Sequence, residues 1–114
     1  IQIFDQEGGH LDTWYQFSRI SGLYIDANDM LYAIDSESDE NYNPGWRKGL
    51  RVGNAKTGEV LYYVPEHNSE RPTGMGGIGA MGEGVAVDRD GNVYGGEVGP
   101  VQGLTKFIPR LIGR

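Results

Sequence analysis

Carboxylate side chains are the residues of this chain best placed to carry chemistry. The sequence contains two histidines and no cysteine, which excludes disulfides, thiolate metal sites and a cysteine nucleophile. Glu83, Glu97 and Asp35 each stand where a predicted strand begins or ends, and carboxylate oxygens can bind Zn²⁺ or Ca²⁺ or share a proton. His67 is the candidate imidazole base or ligand, and Arg19 has the planar fork that suits a substrate carboxylate. We assign the three carboxylates to a metal site, and His67 and Arg19 to catalytic roles.

A second group of candidates lies in the segment 36–48, which interrupts the strand pattern. Glu37 belongs to an acidic run, and Trp46 and Arg47 follow a Pro-Gly turn. A tryptophan in such a loop either covers the edge of a sheet or forms one wall of a pocket. We assign these three residues to a rim that binds a substrate or a partner. The acidic run does not match an EF-hand loop, because no glycine stands at its sixth position.

Each candidate also has a simpler interpretation, which the sequence leaves open. Glu83 and Glu97 can be solvated carboxylates that cap the backbone, and the acidic run can simply be hydrated. Arg19 can form a salt bridge with a neighbouring loop. His67 can be a surface imidazole.

Short strands are the elements that must position these residues. No segment has apolar residues at helical spacing over ten or more positions, so we predict no helix. Two connections have the composition of hairpin turns, in which Asn28 and Gly91 are expected to take positive φ. Alternating or apolar runs that end at Gly, Asp or Asn predict strands. The nine predicted strands are Ile1 to Phe4, His10 to Phe17, Gly22 to Ile25, Met30 to Ile34, Leu50 to Val52, Val60 to Val64, Gly84 to Val87, Val93 to Gly95 and Leu104 to Ile108.

Internal repetition organises these strands. Residues 21–35 align without a gap on residues 83–97, at an offset of 62. Residues 1–11 match residues 50–60 at an offset of 49, and Leu104 starts this second unit again. Two kinds of hairpin therefore alternate along the chain. One repeat of two hairpins contains four antiparallel strands, which is the number in a β-propeller blade.

The sequence therefore predicts an all-β fold, a β-propeller to which this chain contributes about two and a half four-stranded antiparallel blades. The 114 residues are expected to be part of one domain. Residues 1–17 are the outer strands of one blade, 21–64 are a full blade with the insertion 36–48, and 83–108 are most of the next blade. Because a propeller needs at least four blades, the chain is expected to be a fragment, completed by the same longer chain or by other copies.

The repeated hairpins resemble the NHL repeat, most clearly in Gly84-Val85-Ala86-Val87-Asp88-Arg89-Asp90-Gly91-Asn92-Val93-Tyr94. The rest of the chain is similar to bacterial six-bladed propellers that are named for their likeness to peptidyl-α-hydroxyglycine α-amidating lyase. The stretches that carry this resemblance are Arg19-Ile20-Ser21-Gly22, Tyr32-Ala33-Ile34-Asp35-Ser36-Glu37-Ser38, Asn43-Pro44-Gly45-Trp46-Arg47-Lys48-Gly49 and Tyr94-Gly95-Gly96-Glu97-Val98-Gly99-Pro100.

The resemblance implies a six-bladed ring and a metal-dependent lyase or hydrolase with its site at the axial rim. The amidating lyase holds zinc with three histidines, has calcium nearby, and cleaves a hydroxyglycine-extended peptide into an amide and glyoxylate. It has Pro-His-Asp where this chain has Gly82-Glu83-Gly84, so the three-histidine site is broken. Glu83 could still bind Zn²⁺ or Ca²⁺. Two functions stay open: a lyase-like propeller of unassigned activity, or a non-catalytic propeller that binds a protein, peptide or glycan on the same rim.

The net charge and the distribution of basic residues limit the classes of partner that the chain is expected to bind. Ten Lys plus Arg against sixteen Asp plus Glu give a net charge of −6, and no basic cluster is longer than Arg47-Lys48. Nucleic acid and membranes are therefore not expected as partners. The expected partners are the remaining blades and a small molecule or peptide at the rim. The resemblance implies a secreted or periplasmic location.

Overall fold

The computed structural model describes residues 1–66, 82–97 and 103–110. Within these residues the protein is all-β, as predicted, and contains no helix. The strands are β1 (Gln2–Phe4), β2 (His10–Thr13), β3 (Gly22–Ile25), β4 (Met30–Asp35), β5 (Gly49–Asn54), β6 (Val60–Pro65), β7 (Gly84–Val87), β8 (Val93–Gly96) and β9 (Leu104–Phe107).

All nine predicted strands are present, and eight of them have bounds within two residues of the prediction. The exception is β2, which was predicted to reach Phe17 and ends at Thr13. The chain leaves the sheet there because a turn, closed by a hydrogen bond from Ser18 N to the Tyr15 carbonyl oxygen, directs Phe17 into the core.

The strands form three antiparallel sheets in the order of the sequence. The first sheet contains β1 and β2, the middle sheet β3 to β6, and the third sheet β7 to β9. The two hairpins that align in the sequence have the same register, because Gly22 pairs with Ile34 and Gly84 pairs with Gly96. The repeat in the sequence is therefore also a repeat in strand pairing.

The middle sheet has an apolar core on each of its faces. On one face, Leu31 and Ala33 of β4 pack with Phe17, which follows the first sheet and is fully buried. On the other face, Ile34 belongs to a cluster that includes Val93 of the third sheet. Because alternate residues of a strand point to opposite faces, one strand contributes to both cores. The middle sheet therefore lies between the other two.

The middle and third sheets approach each other closely at the start of β3 and β7. A Cβ atom at Gly22 would lie 2.6 Å from the carbonyl oxygen of Glu83. Only glycine leaves room for the backbone of the third sheet at this point.

The strand ends form two rims. The turn rim consists of the hairpin turns 5–9, 26–29, 54–59 and 88–92. The insertion rim consists of the segments 14–21 and 36–48, which connect the opposite ends of the strands, together with Glu83 and Glu97. The segment 14–21 also reaches the turn 54–59, where Gln16 Nε2 donates to the Gly58 carbonyl oxygen at 2.7 Å.

The prediction for the first of the two hairpin turns was wrong by one residue. Gly91 has a φ of 80°, as predicted, but in the equivalent turn Asp29, with a φ of 59°, takes the left-handed conformation instead of Asn28. The Asp26 carboxylate accepts hydrogen bonds from the backbone N–H groups of Asn28 and Met30. This pattern is an Asx turn, which places Asn28 inside the turn and moves the positive φ to the next residue.

Candidate functional site

Asp35 lies at the centre of a buried polar cluster on the insertion rim. Its side chain is fully buried. One carboxylate oxygen accepts hydrogen bonds from the hydroxyls of Ser18, at 2.7 Å, and Ser38. The other oxygen accepts from the backbone N–H groups of Glu37 and Ser38, at 3.1 and 2.9 Å. Asn43 Nδ2 donates to both serine hydroxyls, each at 3.0 Å. The cluster therefore provides the donors that a buried carboxylate requires.

Arg51 provides the positive charge next to this carboxylate. Its Nη1 lies 3.8 Å from Asp35 Oδ2 and has no hydrogen-bond partner among the described residues. The guanidinium contacts the rings of Trp46 and Tyr63, at 5.3 and 4.8 Å from their centroids, and its Nη2 donates to the Arg47 carbonyl oxygen at 3.0 Å. Burial lowers the pKa of Arg51, while Asp35 acts in the opposite direction. Arginine remains a cation at neutral pH, so the buried carboxylate has a charged partner.

A cleft of about 280 Å³ opens beside the Asp35 cluster. Trp46 is one of its walls. Its ring is 37% exposed and is also held by Arg51. The described residues that line the cleft are Ile1, Thr13, Trp14, Tyr15, Ser18, Arg19, Asn43 and Trp46.

Arg19 lines the cleft and forms an ion pair with Glu37. Its Nη2 lies 2.9 Å from Glu37 Oε2. Its Nη1 donates to the Tyr42 carbonyl oxygen at 3.0 Å, and the guanidinium lies 6.0 Å from the centroid of the Tyr42 ring. This is the salt bridge to a neighbouring loop that the sequence allowed. Because both side chains are partly exposed, the pair orients Arg19 more than it stabilises the fold.

Glu83 and Glu97 lie at the same end of the β7–β8 hairpin, but in different environments. Glu83 is exposed, and its backbone N–H donates to the Gly96 carbonyl oxygen at 2.9 Å. Glu97 is only 8% exposed and accepts a hydrogen bond from Thr105 Oγ1 at 3.3 Å. The simpler interpretation, a solvated carboxylate, therefore does not hold for Glu97.

The described residues do not by themselves form a metal site. No three of their His, Asp or Glu side chains come close enough together to hold an ion. Both oxygens of Asp35 already accept hydrogen bonds from protein donors. A metal site that includes Glu83, Glu97 and Asp35 therefore stays a prediction.

Two further candidates are not part of the cleft among the described residues. The Arg47 side chain is exposed, and this residue contributes its carbonyl oxygen to Arg51. His67 lies outside the described residues.

Sequence reasoning missed Ser18, Asn43 and Arg51, which hold Asp35 and the wall of the cleft. A signal existed for Arg51, because it is the one charged residue in the apolar run from Leu50 to Val52. No local signal marks Ser18 or Asn43, since these residues meet only when distant segments of the chain come together.

A larger groove of about 860 Å³ lies between the outer strands of the middle and third sheets. It is lined in part by Leu50, Val52 and Val93, which also form the core between these sheets. Its lining contains no histidine and no carboxylate among the described residues. The cleft of the insertion rim likewise has no histidine and no carboxylate in its described lining, but two of the predicted site residues, Arg19 and Trp46, line it, and we therefore place the candidate site there.

Similarity to known proteins does not assign the chain to a family. No protein-family model, curated protein or solved structure matches it. No helix that could cross a membrane occurs in the described part of the chain. The functional assignment therefore rests on the geometry of the insertion rim.

Proposed function

We propose that this chain is part of an NHL-type β-propeller, in which its three sheets are successive blades. Support comes from the middle sheet, which is covered on both faces as an internal blade would be. The Tyr32 hydroxyl donates to Asp26 at 3.3 Å, and the aligned Tyr94 hydroxyl donates to Asp88 at 3.0 Å. The hairpin repeat is therefore a repeat of contacts as well as of residue types. The outer faces of the first and third sheets would pack against the remaining blades, from the same longer chain or from other copies.

Within this propeller, the insertion rim is a binding site for a small molecule, a peptide or a glycan. The observation that carries this proposal is the cleft whose Trp46 wall is held in place by the buried Arg51 and Asp35. A wall that is ordered before the ligand arrives reduces the entropy cost of binding.

The chemistry of the cleft favours binding over catalysis. The described residues that line it include no histidine and no carboxylate, so they provide no obvious general base. Three carboxylates contact residues of the lining, and each already has a protein partner. Asp35 accepts from Ser18 and is paired with Arg51, Glu37 is paired with Arg19, and Asp12 accepts from Trp14. A binding propeller therefore fits these residues better than a hydrolase.

The test is a ligand screen on the intact protein and on Trp46→Ala. Peptides and glycans are titrated, and binding is followed by tryptophan fluorescence and by ligand-observed NMR. We expect at least one class to bind and the substitution to weaken binding by about tenfold, as for the loss of one aromatic contact. Tyr62→Ala, which removes an exposed ring outside the cleft, is the matched control. Failure of the wild-type protein to bind any ligand, or unchanged binding in a folded Trp46→Ala variant, would contradict the proposal.

A metal-dependent lyase or hydrolase is the second candidate function. The placement of Glu83 and Glu97 at one end of the β7–β8 hairpin favours it. In this alternative, the two carboxylates contribute to a Zn²⁺ or Ca²⁺ site together with ligands outside the described residues. Arg19 would hold a substrate carboxylate, and His67 would be the base or a ligand.

Metal analysis of the purified protein tests this second candidate. Under it, about one Zn²⁺ or Ca²⁺ is retained per chain, and Glu83→Ala abolishes retention while Glu40→Ala, in the acidic run, does not. A well-folded protein without metal would contradict it. Assay of a hydroxyglycine-extended peptide then separates amidating-lyase activity from other hydrolytic chemistry.

A further inference from the structure

We propose that the cleft of the insertion rim recognises an uncharged saccharide through its aromatic walls and neutral hydrogen-bonding groups. This inference rests on the proposed binding function and names the class of ligand. It follows from the groups that can still contact a ligand after the internal ion pairs and hydrogen bonds have formed, namely the aromatic rings and the neutral polar side chains of the lining.

The two arginines at the cleft, Arg19 in its lining and Arg51 behind it, are each paired with a carboxylate. Arg19, the one charged side chain in the described lining, is held by Glu37 at 2.9 Å. Behind the Trp46 wall, Arg51 lies 3.8 Å from Asp35 and is fully desolvated on its Nη1. A charged ligand would have to compete with these partners, and the described lining contains no unpaired charged side chain of either sign. The Ile1 ammonium, which also lines the cleft, donates to the Trp14 carbonyl oxygen at 2.9 Å. The pairing therefore favours a neutral ligand.

Three of the eight described lining residues are aromatic, namely Trp14, Tyr15 and Trp46. Tyr15 is 77% exposed and Trp46 is 37% exposed. Trp14 donates its indole N–H to Asp12 at 3.1 Å, which fixes its ring. Exposed ring faces of this kind contact the C–H faces of a sugar ring, because such contacts combine apolar burial with weak C–H interactions.

Neutral polar groups complete the lining. Ser18 and Asn43 contribute a hydroxyl and an amide, which hold each other at 3.0 Å, and Thr13 contributes a second hydroxyl. Ser18 Oγ already donates to Asp35 and accepts from Asn43, and Thr13 Oγ1 lies 2.8 Å from His10 Nε2. Each hydroxyl oxygen keeps a further lone pair, which can accept a hydrogen bond from a sugar hydroxyl. The volume of about 280 Å³ is below the range of drug-sized pockets, so it suits a ligand about the size of a single sugar ring.

A peptide fits the same cleft less well. Peptides that bind in an extended form add to a sheet edge through main-chain hydrogen bonds. Apart from Thr13, the described lining residues lie outside the strands. The cleft therefore offers side chains rather than a strand edge.

The experiment compares three classes of ligand on the intact protein. The probes are neutral xylo-, cello- and manno-oligosaccharides, a uronic-acid oligosaccharide, and peptides rich in proline and aromatic residues. Binding is measured by saturation-transfer NMR and by fluorescence titration at low and high salt. We expect a neutral oligosaccharide to bind, with an affinity that salt does not change, because no ion pair forms with the ligand.

Two exposed tyrosines provide the matched variants. Tyr15→Ala removes a ring from the cleft, and Tyr62→Ala removes one that is 65% exposed and lies outside it. Tyr15→Ala should weaken saccharide binding by about tenfold, and Tyr62→Ala should leave it unchanged. Because both rings are largely exposed, loss of the fold is not expected, and thermal unfolding of each variant checks this.

The outcomes separate this inference from the proposed function. If the peptide or the uronate binds in preference to every neutral saccharide and Tyr15→Ala weakens that binding, the saccharide inference is overturned and the binding function stands. If a neutral saccharide binds equally well to Tyr15→Ala, the cleft is not its site and the inference is also overturned. If no class binds, both proposals fail.

Discussion

The turn rim and the insertion rim cap the same strands, but they are built in opposite ways. On the turn rim, the carboxylates of Asp5, Asp26 and Asp88 each accept hydrogen bonds from the backbone N–H groups two and four residues later. On the insertion rim, Asp35 accepts from Ser18, which lies 17 residues earlier in the chain. The hydrogen bonds to each turn-rim aspartate come from its own hairpin, whereas Asp35 also accepts one from a separate segment of the chain.

The difference shows which parts of the protein depend on its assembly. A turn closed by its own aspartate can form as soon as the hairpin forms. The Asp35 cluster can form only after the segments 14–21 and 36–48 have docked on β5. The insertion rim is therefore expected to be the more sensitive to substitution, and four predictions test this comparison.

Asp35→Ala should have the largest effect. The substitution leaves the Arg51 cation buried without its carboxylate and leaves Ser18 and Ser38 without their acceptor. We expect the free energy of unfolding to fall by about 3–5 kcal/mol, as for the breaking of a buried charge pair. Urea denaturation at pH 7 measures this. Asp90→Ala, at an exposed position of the turn rim, should change stability by less than about 0.5 kcal/mol. Equal effects of the two substitutions would remove the contrast between the rims.

Two glycines of the turn rim provide the second prediction. Gly58 and Gly8 both have positive φ, 76° and 87°. A Cβ atom at Gly58 would lie 2.7 Å from the Trp14 ring, whereas one at Gly8 would meet nothing within 4 Å. Gly8→Ala should cost about 1–2 kcal/mol for the left-handed backbone, and Gly58→Ala should cost about 1–3 kcal/mol more because of the clash. Chemical denaturation of the two variants gives this difference, and the same cost for both would mean that Trp14 does not pack on the 54–59 turn.

The third prediction concerns the pH dependence of the turn rim. Hydrogen bonds, first of all from the Asn92 side chain, lower the pKa of Asp88 from 3.8 to about 2. The unfolded chain therefore takes up this proton at a higher pH than the folded protein does. The contribution of Asp88 to stability is complete above the unfolded pKa and is lost as the pH falls from about 4 to about 2.

Urea midpoints measured between pH 5 and pH 2 test this prediction. Asp88→Asn should be less stable than the wild-type protein at pH 5, and the gap between them should narrow toward pH 2. A gap that stays constant with pH would show that the Asp88 charge does not contribute.

The smallest effect is expected for the exposed ion pair of the insertion rim. A double-mutant cycle of Arg19→Ala and Glu37→Ala should give a coupling of about 0.2–1 kcal/mol, because both side chains are partly solvated. A coupling as large as the loss in Asp35→Ala would show that this pair, too, is part of the buried cluster.

The strands were predictable because their signals are local. The apolar run of β4 and the turn around Gly91 can be recognised from neighbouring residues alone. The end of β2 was not recognised, because it depends on a hydrogen bond made by a turn whose exact position the composition does not define. The left-handed Asp29 was missed although the repeat aligns it with Gly91, because the positive φ was assigned to Asn28 by residue type instead of by the alignment. The burial of Glu97 was missed for another reason, since it depends on how the third sheet is packed.

The amino-acid sequence by itself determined the nine strands and their hairpins, since each depends on residues within a few positions of one another. It also determined the repeat at an offset of 62, because a repeat is found by comparing residue types and requires no contact between the two copies. Only the tertiary structure decided that Asp35 is a buried partner of Arg51 rather than a hydrated member of an acidic run. It also decided that Trp46 forms a wall of a cleft. Burial and charge pairing depend on which distant segments meet, and that information is not present in the order of the residues around any one of them.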